Sequence, residues 1–85
     1  MDHYAYLLSC ADGTIYSGYT TDLGRRVAAH NRGQGAKYTR SRRPVRLIYS
    51  ERFETKGEAL RREAAWKKMT HAQKLALAQG APQKA

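Results

Sequence analysis

The sequence predicts a small α+β domain. Three segments have the aromatic-rich or alternating pattern of strands, and three others have the capping signals and apolar spacing of helices. A chain of 85 residues can bury one modest core and no more. We therefore predict a single domain over residues 1–80, followed by a flexible tail over residues 81–85.

A hairpin opens the chain. Residues 3–9 (HYAYLLS) are rich in Tyr and Leu and predict a strand, and residues 14–19 predict the returning strand. The turn signal between them is Ala11-Asp12-Gly13. Side chains of a strand alternate between two faces, so the register of this hairpin decides which residues share a face.

The length of the turn decides where Tyr6 and Tyr16 point. A two-residue Asp12-Gly13 loop places them on opposite faces of the sheet, because a shift of one residue reverses every side chain. A three-residue loop with Gly13 left-handed pairs Tyr6 with Gly18 and puts both tyrosines on one face. Both registers agree with the sequence.

A helix follows the hairpin. Thr21 or Asp22 can cap its start, it runs to about Arg32, and Gly33 and Gly35 end it. One face of this helix carries, at positions i, i+3, i+4 and i+7, Leu23, Arg26, Val27 and His30. A cation and an imidazole on an inward face need polar partners, since burying them alone is costly. They are therefore either satisfied structural groups or members of a site.

The second half of the chain predicts one strand and two helices. Residues 45–50 (VRLIYS) have an alternating strand pattern, and capping boxes at residues 55–58 and 70–73 open the two helices, the second ending near Gly80. Glu63 lies on or beside the apolar face of the first of these helices. A carboxylate in that position is either paired with a cation, such as Arg26, or bound to a metal.

The charge of the chain is strongly basic and unevenly placed. Lys and Arg total 16 against 7 for Asp and Glu, a formal net charge of +9, and no acidic residue occurs between Asp22 and Glu51. Such a block indicates a polyanionic partner, with nucleic acid first, although a solvated loop that aids solubility has the same composition. We predict nucleic-acid contacts from this basic region and its tyrosine, namely Arg25, Lys37, Tyr38, Arg40, Arg42 and Arg43.

The remaining composition argues against a membrane or disulfide-bonded protein. The basic run lacks the apolar face of an interfacial helix, no apolar run reaches membrane-spanning length, and the N-terminus lacks a signal-peptide pattern. Cys10 is the only cysteine, so no intramolecular disulfide or cysteine-rich zinc cluster can form. We expect a cytoplasmic protein, monomeric or weakly dimeric, that does not bind membranes.

The polar residues suit phosphodiester chemistry better than the common alternatives. The serines lack a His and acid partner by spacing, the histidines form no metal-ligand motif, and no phosphate-binding glycine loop is present. What remains is tyrosines, arginines, one histidine and one half-buried glutamate. A carboxylate can hold Mg²⁺ with water and phosphate, Arg can pair phosphate oxygens, and Tyr can position or deprotonate water. The same residue types also build plain nucleic-acid-binding surfaces.

Several of these residues together resemble one family. The chain resembles the GIY-YIG endonuclease family, and in particular its small stand-alone bacterial members, at Tyr4-Ala5-Tyr6, Tyr16-Ser17-Gly18, Arg26, His30 and Glu63. The resemblance implies a small three-stranded antiparallel sheet flanked by about three helices. It also implies the three-residue turn, with Tyr6 and Tyr16 converging and Gly18 leaving room for Tyr6.

The resemblance further implies a role for each site residue. Tyr6 and Tyr16 correspond to the tyrosines of the two motifs, and one of them serves as general base or water positioner. Arg26 would stabilise the scissile phosphate, His30 would hydrogen-bond within the site, and Glu63 would ligate one Mg²⁺ or Mn²⁺. The implied activity is hydrolysis of DNA phosphodiester bonds, which we assign to repair or recombination, and RNA stays open as an alternative substrate.

The chain departs from the family pattern in two places. Its first motif keeps only the final tyrosine, and no Asn follows Glu63, where many family nucleases carry one; the only Asn is Asn31. The alternative functions are a non-catalytic nucleic-acid-binding module and a subunit that acts with a larger repair protein. In each case the loop from Lys37 to Arg46 has to supply affinity, which predicts weak, salt-sensitive and largely sequence-independent binding.

Overall fold

The structure, a computed structural model, describes residues 2–80. The flexible tail predicted for residues 81–85 lies outside the described residues. Seven elements follow one another along the chain: β1 (His3–Ser9), β2 (Ile15–Thr20), α1 (Leu23–Asn31), α2 (Lys37–Arg40), β3 (Arg46–Phe53), α3 (Lys56–Lys67) and α4 (His71–Ala78). The α+β prediction is confirmed.

The three strands form one antiparallel sheet in the order β2-β1-β3. The amide of Cys10 donates to the carbonyl of Thr14 at 2.9 Å, which closes a three-residue turn, and Gly13 in that turn has φ +87°. This left-handed conformation favours glycine because a Cβ is disfavoured there. The three-residue turn implied by the resemblance is therefore the one observed.

Because β1 is the central strand, its side chains are buried on both faces of the sheet. One face packs against α3 and α4 through Ala5, Leu7, Ile15, Trp66 and Leu77. The opposite face packs against α1 through Tyr6, Leu8, Cys10 and Val45, with Leu23 and Val27 beside them. Tyr6 thus lies in the layer between the sheet and α1, where polar groups of α1 can reach it.

The helix starts follow the predicted capping signals. Asp22 accepts from the amide of Arg25, and the capping boxes that begin at Thr55 and Thr70 both form. These caps satisfy amides that have no partner inside the helix, which is why the boundaries could be read from the sequence. None of the described helices is long and apolar enough to cross a bilayer.

Two elements differ from the expectation. The basic segment, residues 33–44, contains α2, a single turn of helix that is too short to produce a periodic pattern. Strand β3 continues to Phe53 rather than ending near Ser50, because its polar residues Glu51 and Arg52 still pair with β1. As an edge strand with one open side, β3 tolerates polar residues that a sequence pattern assigns to a loop.

Candidate active site

The two motif tyrosines converge on one face of the sheet. Tyr6 is paired with Gly18 across β1 and β2, and Tyr16 is paired with Leu8 two residues along. A Cβ atom at Gly18 would overlap the phenol end of Tyr6. The phenol therefore lies over the backbone of β2, in space that any other residue at this position would occupy.

The Tyr6 hydroxyl is at the centre of a buried hydrogen-bond network. Its oxygen lies 2.9 Å from His30 Nε2 and accepts a hydrogen bond from Arg26 Nε at 3.3 Å. Tyr6 is 1% exposed, and burial raises the pKa of its phenol, while the hydrogen bond and the charge of Arg26 oppose that rise. The phenol is therefore neutral at neutral pH and can donate as well as accept.

His30 is fully buried between the tyrosines and the basic segment. Its Nδ1 lies 2.7 Å from Thr39 Oγ1, and its ring meets Tyr16 edge-on with centroids 5.3 Å apart. Burial lowers the pKa of the imidazole, and the nearby charge of Arg26 lowers it further. The ring is neutral at neutral pH, so one nitrogen donates and the other accepts.

The neutral state of His30 predicts a pH dependence of stability. Its pKa in the folded protein is below the value of about 6.5 expected in the unfolded chain, so just below pH 6.5 only the unfolded chain takes up this proton. The free energy of unfolding should therefore fall as the pH drops from about 6.5 toward the lower folded pKa. His30→Gln should flatten this part of the profile, measured by urea unfolding at a series of pH values. A profile equally steep in the variant would contradict the assignment.

Arg26 is held by two acceptors. Besides its bond to Tyr6, its Nη2 donates to the carbonyl oxygen of Gly35 at 3.0 Å. Among the described residues none accepts from Nη1, so part of the guanidinium is available to a ligand. The side chain lines a surface groove together with Arg25 and Arg32. Three guanidinium groups along one groove suit a chain of phosphates.

Two residues that shape this network could not be found from the sequence. The spacing assigns Gly35 only to the end of a helix and gives no role to Thr39. In the structure, a Cβ atom at Gly35 would overlap the imidazole of His30, and Thr39, which is fully buried, contacts the same ring. Gly35 and Thr39 reach the His30 ring because the basic segment folds back over α1. Such a contact between distant segments leaves no periodic pattern in the sequence.

Tyr16 lies at the open side of the site. It is half-buried, stacks on Tyr38 with ring centroids 5.7 Å apart, and lines a groove with Lys67 and Lys74. No described residue makes a hydrogen bond with its hydroxyl, whereas the Tyr6 hydroxyl has two partners. Of the two motif tyrosines, Tyr16 is the one that a bound ligand can reach directly.

Glu63 lies on α3 with its side chain 12% exposed. Its Oε2 accepts from Lys67 Nζ at 2.9 Å, so its partner is one helical turn away and is not Arg26. Burial is the largest cause that raises the pKa of Tyr6, and the hydrogen bond and charge of Arg26 oppose it. The charge of Glu63 is the smallest of the causes that raise this pKa. Lys67, the partner of Glu63, lines the groove that Tyr16 also lines, so the carboxylate lies near the open side of the site.

Glu63 offers one carboxylate that could serve as a ligand of a hard cation. Within residues 2–80 no group of three or more His, Cys, Asp or Glu side chains could hold a metal together. Mg²⁺ is commonly bound by one or two carboxylates, with water and substrate phosphates completing its shell. Lys67 is 61% exposed, so its ammonium group can leave Glu63 at little cost when a cation arrives.

The predicted nucleic-acid contacts divide into two groups. Arg25, Lys37 and Arg40 are exposed, and Tyr38 is 38% exposed. The guanidinium of Arg42 donates to Asp12 at 3.0 Å and lies 4.0 Å from the Tyr38 ring centroid. Arg43 donates to the carbonyl of Arg40 at 2.8 Å. These bonds show that the last two arginines also stabilise the basic segment, although Arg43 is exposed as well. Arg25, Lys37 and Arg40 are the cations most available to a ligand, whereas the Tyr38 ring already contacts Arg42 and Tyr16.

Asn31 does not replace the late Asn that many family nucleases carry. Its Oδ1 accepts from the amide of Val45 at 2.7 Å, and its Nδ2 donates to the carbonyl of Val45 at 3.0 Å. These two bonds join the end of α1 to the residue before β3. Since both polar atoms of the amide are used there, Asn31 has a structural role.

Comparisons with known proteins agree with this geometry. Residues 2–76 match the sequence model of the GIY-YIG catalytic domain. A UPF0213 protein from Natronomonas pharaonis is 56% identical over 73 residues, which is 86% of each protein. A UPF0213 protein from Halobacterium salinarum is 57% identical over 75 residues, which is 88% of this chain and 97% of the relative.

Two solution NMR structures have the same fold. A UPF0213 protein from Bacillus halodurans superposes with a TM-score of 0.60 at 44% identity, over 98% of this chain and 88% of that protein. A protein from E. faecalis superposes with a TM-score of 0.62 at 46% identity, over 100% of this chain and 94% of that protein. Sequence, fold and the placement of the motif residues lead to one assignment: the chain belongs to the GIY-YIG nuclease family.

Proposed function

We propose that this protein is a metal-dependent endonuclease that hydrolyses phosphodiester bonds in DNA, in repair or recombination. One observation carries the proposal: the buried Arg26–Tyr6–His30 network lies beside a reachable tyrosine, Tyr16, whose groove is also lined by Lys67, the ion-pair partner of the carboxylate Glu63. A surface that only binds nucleic acid has no use for a carboxylate there, because its charge repels phosphate.

Arg26 is the residue that would bind the scissile phosphate. Its Nε and Nη2 are fixed by Tyr6 and Gly35, so the guanidinium plane is set before a ligand arrives. The remaining Nη1 can donate to a phosphate oxygen and offset the charge that grows on it as the bond breaks. A pre-oriented donor of this kind costs no reorganisation during the reaction.

Tyr16 is the residue that would contact the attacking water. Its hydroxyl lies on the open side of the site, and its ring is held between the edge of His30 and the face of Tyr38. A phenol fixed by two ring contacts can orient a water molecule or take its proton. Tyr6, which is buried and has both partners inside the protein, instead acts by positioning Arg26.

Glu63 would hold one Mg²⁺ or Mn²⁺, which when bound acts as a Lewis acid on the phosphate and its leaving oxygen. The chain's own part is to present one carboxylate next to the network and to release it from Lys67.

The exposed cations Arg25, Lys37 and Arg40 would attract the DNA backbone without reading its sequence. RNA is a second substrate class, and a larger repair protein is the partner that would deliver the nucleic acid.

A specific observation favours a second function, that of a non-catalytic nucleic-acid-binding module. Glu63 is paired with Lys67, and the chain has no Asn after α3. If the ion pair persists when nucleic acid binds, the carboxylate cannot hold a cation. The basic surface and the Tyr16–Tyr38 stack would then serve binding alone.

Cleavage of labelled single-stranded, duplex and branched DNA separates the two functions. With Mg²⁺ the wild type should cut at least one of these substrates, and a chelator should stop it. Arg26→Gln should slow cutting by about 10²–10³-fold, because it removes a donor aimed at the developing charge. The charge-matched control is Arg61→Gln, at an exposed position of α3, and it should cut like the wild type.

The remaining outcomes are equally clear. Binding by the wild type without cutting of any substrate, in Mg²⁺ or Mn²⁺, would replace the nuclease by the binding module. Equal cutting by the wild type and Arg26→Gln would remove Arg26 from the active site, and equal cutting by Glu63→Gln as well would show that the activity belongs to a contaminant.

A further inference from the structure

We infer that Thr39 is a positioning residue that fixes the tautomer of His30, and through it the direction of every hydrogen bond in the site. Thr39 is fully buried within α2, between the exposed residues Tyr38 and Arg40. It makes no hydrogen bond to Glu63 and does not line the groove of Arg25, Arg26 and Arg32. The role in catalysis rests on the proposed function, whereas the tautomer itself does not.

The Thr39 hydroxyl has two neighbours and one proton. Its Oγ1 lies 3.1 Å from the carbonyl oxygen of Ala36 and 2.7 Å from His30 Nδ1. A carbonyl oxygen can only accept, so both contacts are hydrogen bonds only if the hydroxyl proton points to Ala36, whose oxygen also accepts from the amide of Arg40. The hydroxyl oxygen must then accept from His30, which places the imidazole proton on Nδ1.

This assignment determines the rest of the network. With its proton on Nδ1, the neutral ring presents a lone pair at Nε2, and the Tyr6 hydroxyl 2.9 Å away must donate to it. The Tyr6 oxygen keeps its lone pairs for Arg26 Nε at 3.3 Å. The bonds therefore run in one direction, from Arg26 through Tyr6 and His30 to Thr39 and the carbonyl of Ala36.

The opposite tautomer would change the site. A proton on Nε2 would point at the Tyr6 oxygen, which would then face two donors, His30 and Arg26, and would have to turn its own proton away. The Tyr6 proton would then have no acceptor among the described residues, although the hydroxyl is buried, and Arg26 would share the oxygen with the imidazole, which weakens one of the two bonds that fix the guanidinium. Thr39 thus acts on the reaction at a distance, by deciding which ring nitrogen carries the proton.

The position of Thr39 also couples substrate binding to the site. The single turn of α2 presents Lys37, Tyr38 and Arg40 to solvent and Thr39 to the interior. A nucleic acid that holds this turn in place also holds the hydroxyl against His30. The basic segment is therefore part of the positioning machinery as well as a source of affinity.

Two variants test the assignment. Thr39→Val removes the hydroxyl with little change of volume, and Thr39→Ser keeps the hydroxyl and removes a methyl group. The first readout is the ¹⁵N NMR shifts of the His30 ring, which distinguish a protonated from an unprotonated nitrogen. The second is the rate of DNA cleavage. Thr39→Val should slow cleavage by up to about 10²-fold, as the misplacement of a catalytic group by a substitution away from the chemistry can do, and Thr39→Ser should restore most of it.

The wild type should show a protonated Nδ1 and an unprotonated Nε2. Thr39→Ser should keep this pattern, and Thr39→Val should lose it. A wild-type ring protonated at Nε2 would overturn the inference, as would an unchanged tautomer in folded Thr39→Val. If Thr39→Val does not fold, the wild-type and Thr39→Ser spectra decide by the same criterion. If no variant or wild type cleaves DNA, the proposed function fails, yet the ring shifts still decide the tautomer.

Discussion

Glu63→Gln is expected to abolish metal-dependent cleavage while leaving the fold and DNA binding nearly intact. The substitution keeps the shape of the side chain but removes the charge that a hard cation requires. Lewis-acid stabilisation of a phosphoryl transition state is worth several kcal/mol, so the loss of rate should be about 10³-fold or more. The fold should survive because Glu63 makes only an i,i+4 ion pair with Lys67, a largely exposed lysine.

The matched control for this variant is Glu54→Gln, which makes the same change of charge at an exposed residue outside the site. It should cut at the wild-type rate. Binding of Mn²⁺, followed by electron paramagnetic resonance, gives a readout that does not depend on activity. Weaker Mn²⁺ binding in Glu63→Gln but not in Glu54→Gln would place the ion at Glu63. Unchanged cutting by Glu63→Gln would remove Glu63 from the active site.

The parts of this protein that could be predicted from sequence are those encoded over short distances. A cap and its amide lie within three or four residues of each other, so Asp22, Thr55 and Thr70 identified their helix starts. To predict that Tyr6 and Tyr16 lie on the same face of the sheet, the length of the turn also had to be known. The family resemblance supplied that length, and the strand register confirmed it.

The parts that could not be predicted depend on contacts between distant segments. The position of Glu63 on its helix suggested a cation partner, but the choice between Arg26 and Lys67 depends on how α1 and α3 are placed around the sheet. Likewise, a count of positive charges cannot distinguish Arg42, which pairs with Asp12, from an exposed residue such as Arg40. Charge composition indicates a partner class but not which side chains are available to it.

Gly35→Ala is expected to disrupt the site by displacing the buried ring of His30. Gly35 does not have a positive φ, so alanine is compatible with its backbone, and the effect of the substitution is steric. The added Cβ would overlap the His30 ring, which has no free space because it is fully buried against Tyr6 and Thr39. Overpacking of this kind costs about 1–3 kcal/mol of stability. Displacing the imidazole should also lower cleavage strongly, since it moves Tyr6 and the carbonyl that holds Arg26.

A double-mutant cycle tests whether the clash is the cause. In a His30→Ala background the ring is absent, so Gly35→Ala should cost clearly less stability than in the wild type; the difference measures the coupling between the two positions. Gly24→Ala is the control, because a Cβ there meets only Asp22 Oδ1 at 3.9 Å and a helical glycine gains from the substitution. If Gly35→Ala instead cost the same in both backgrounds, the glycine would be needed for some other reason than the imidazole. If it cost nothing in either, the close approach of the basic segment to α1, on which both Arg26 and Thr39 depend, would be wrong.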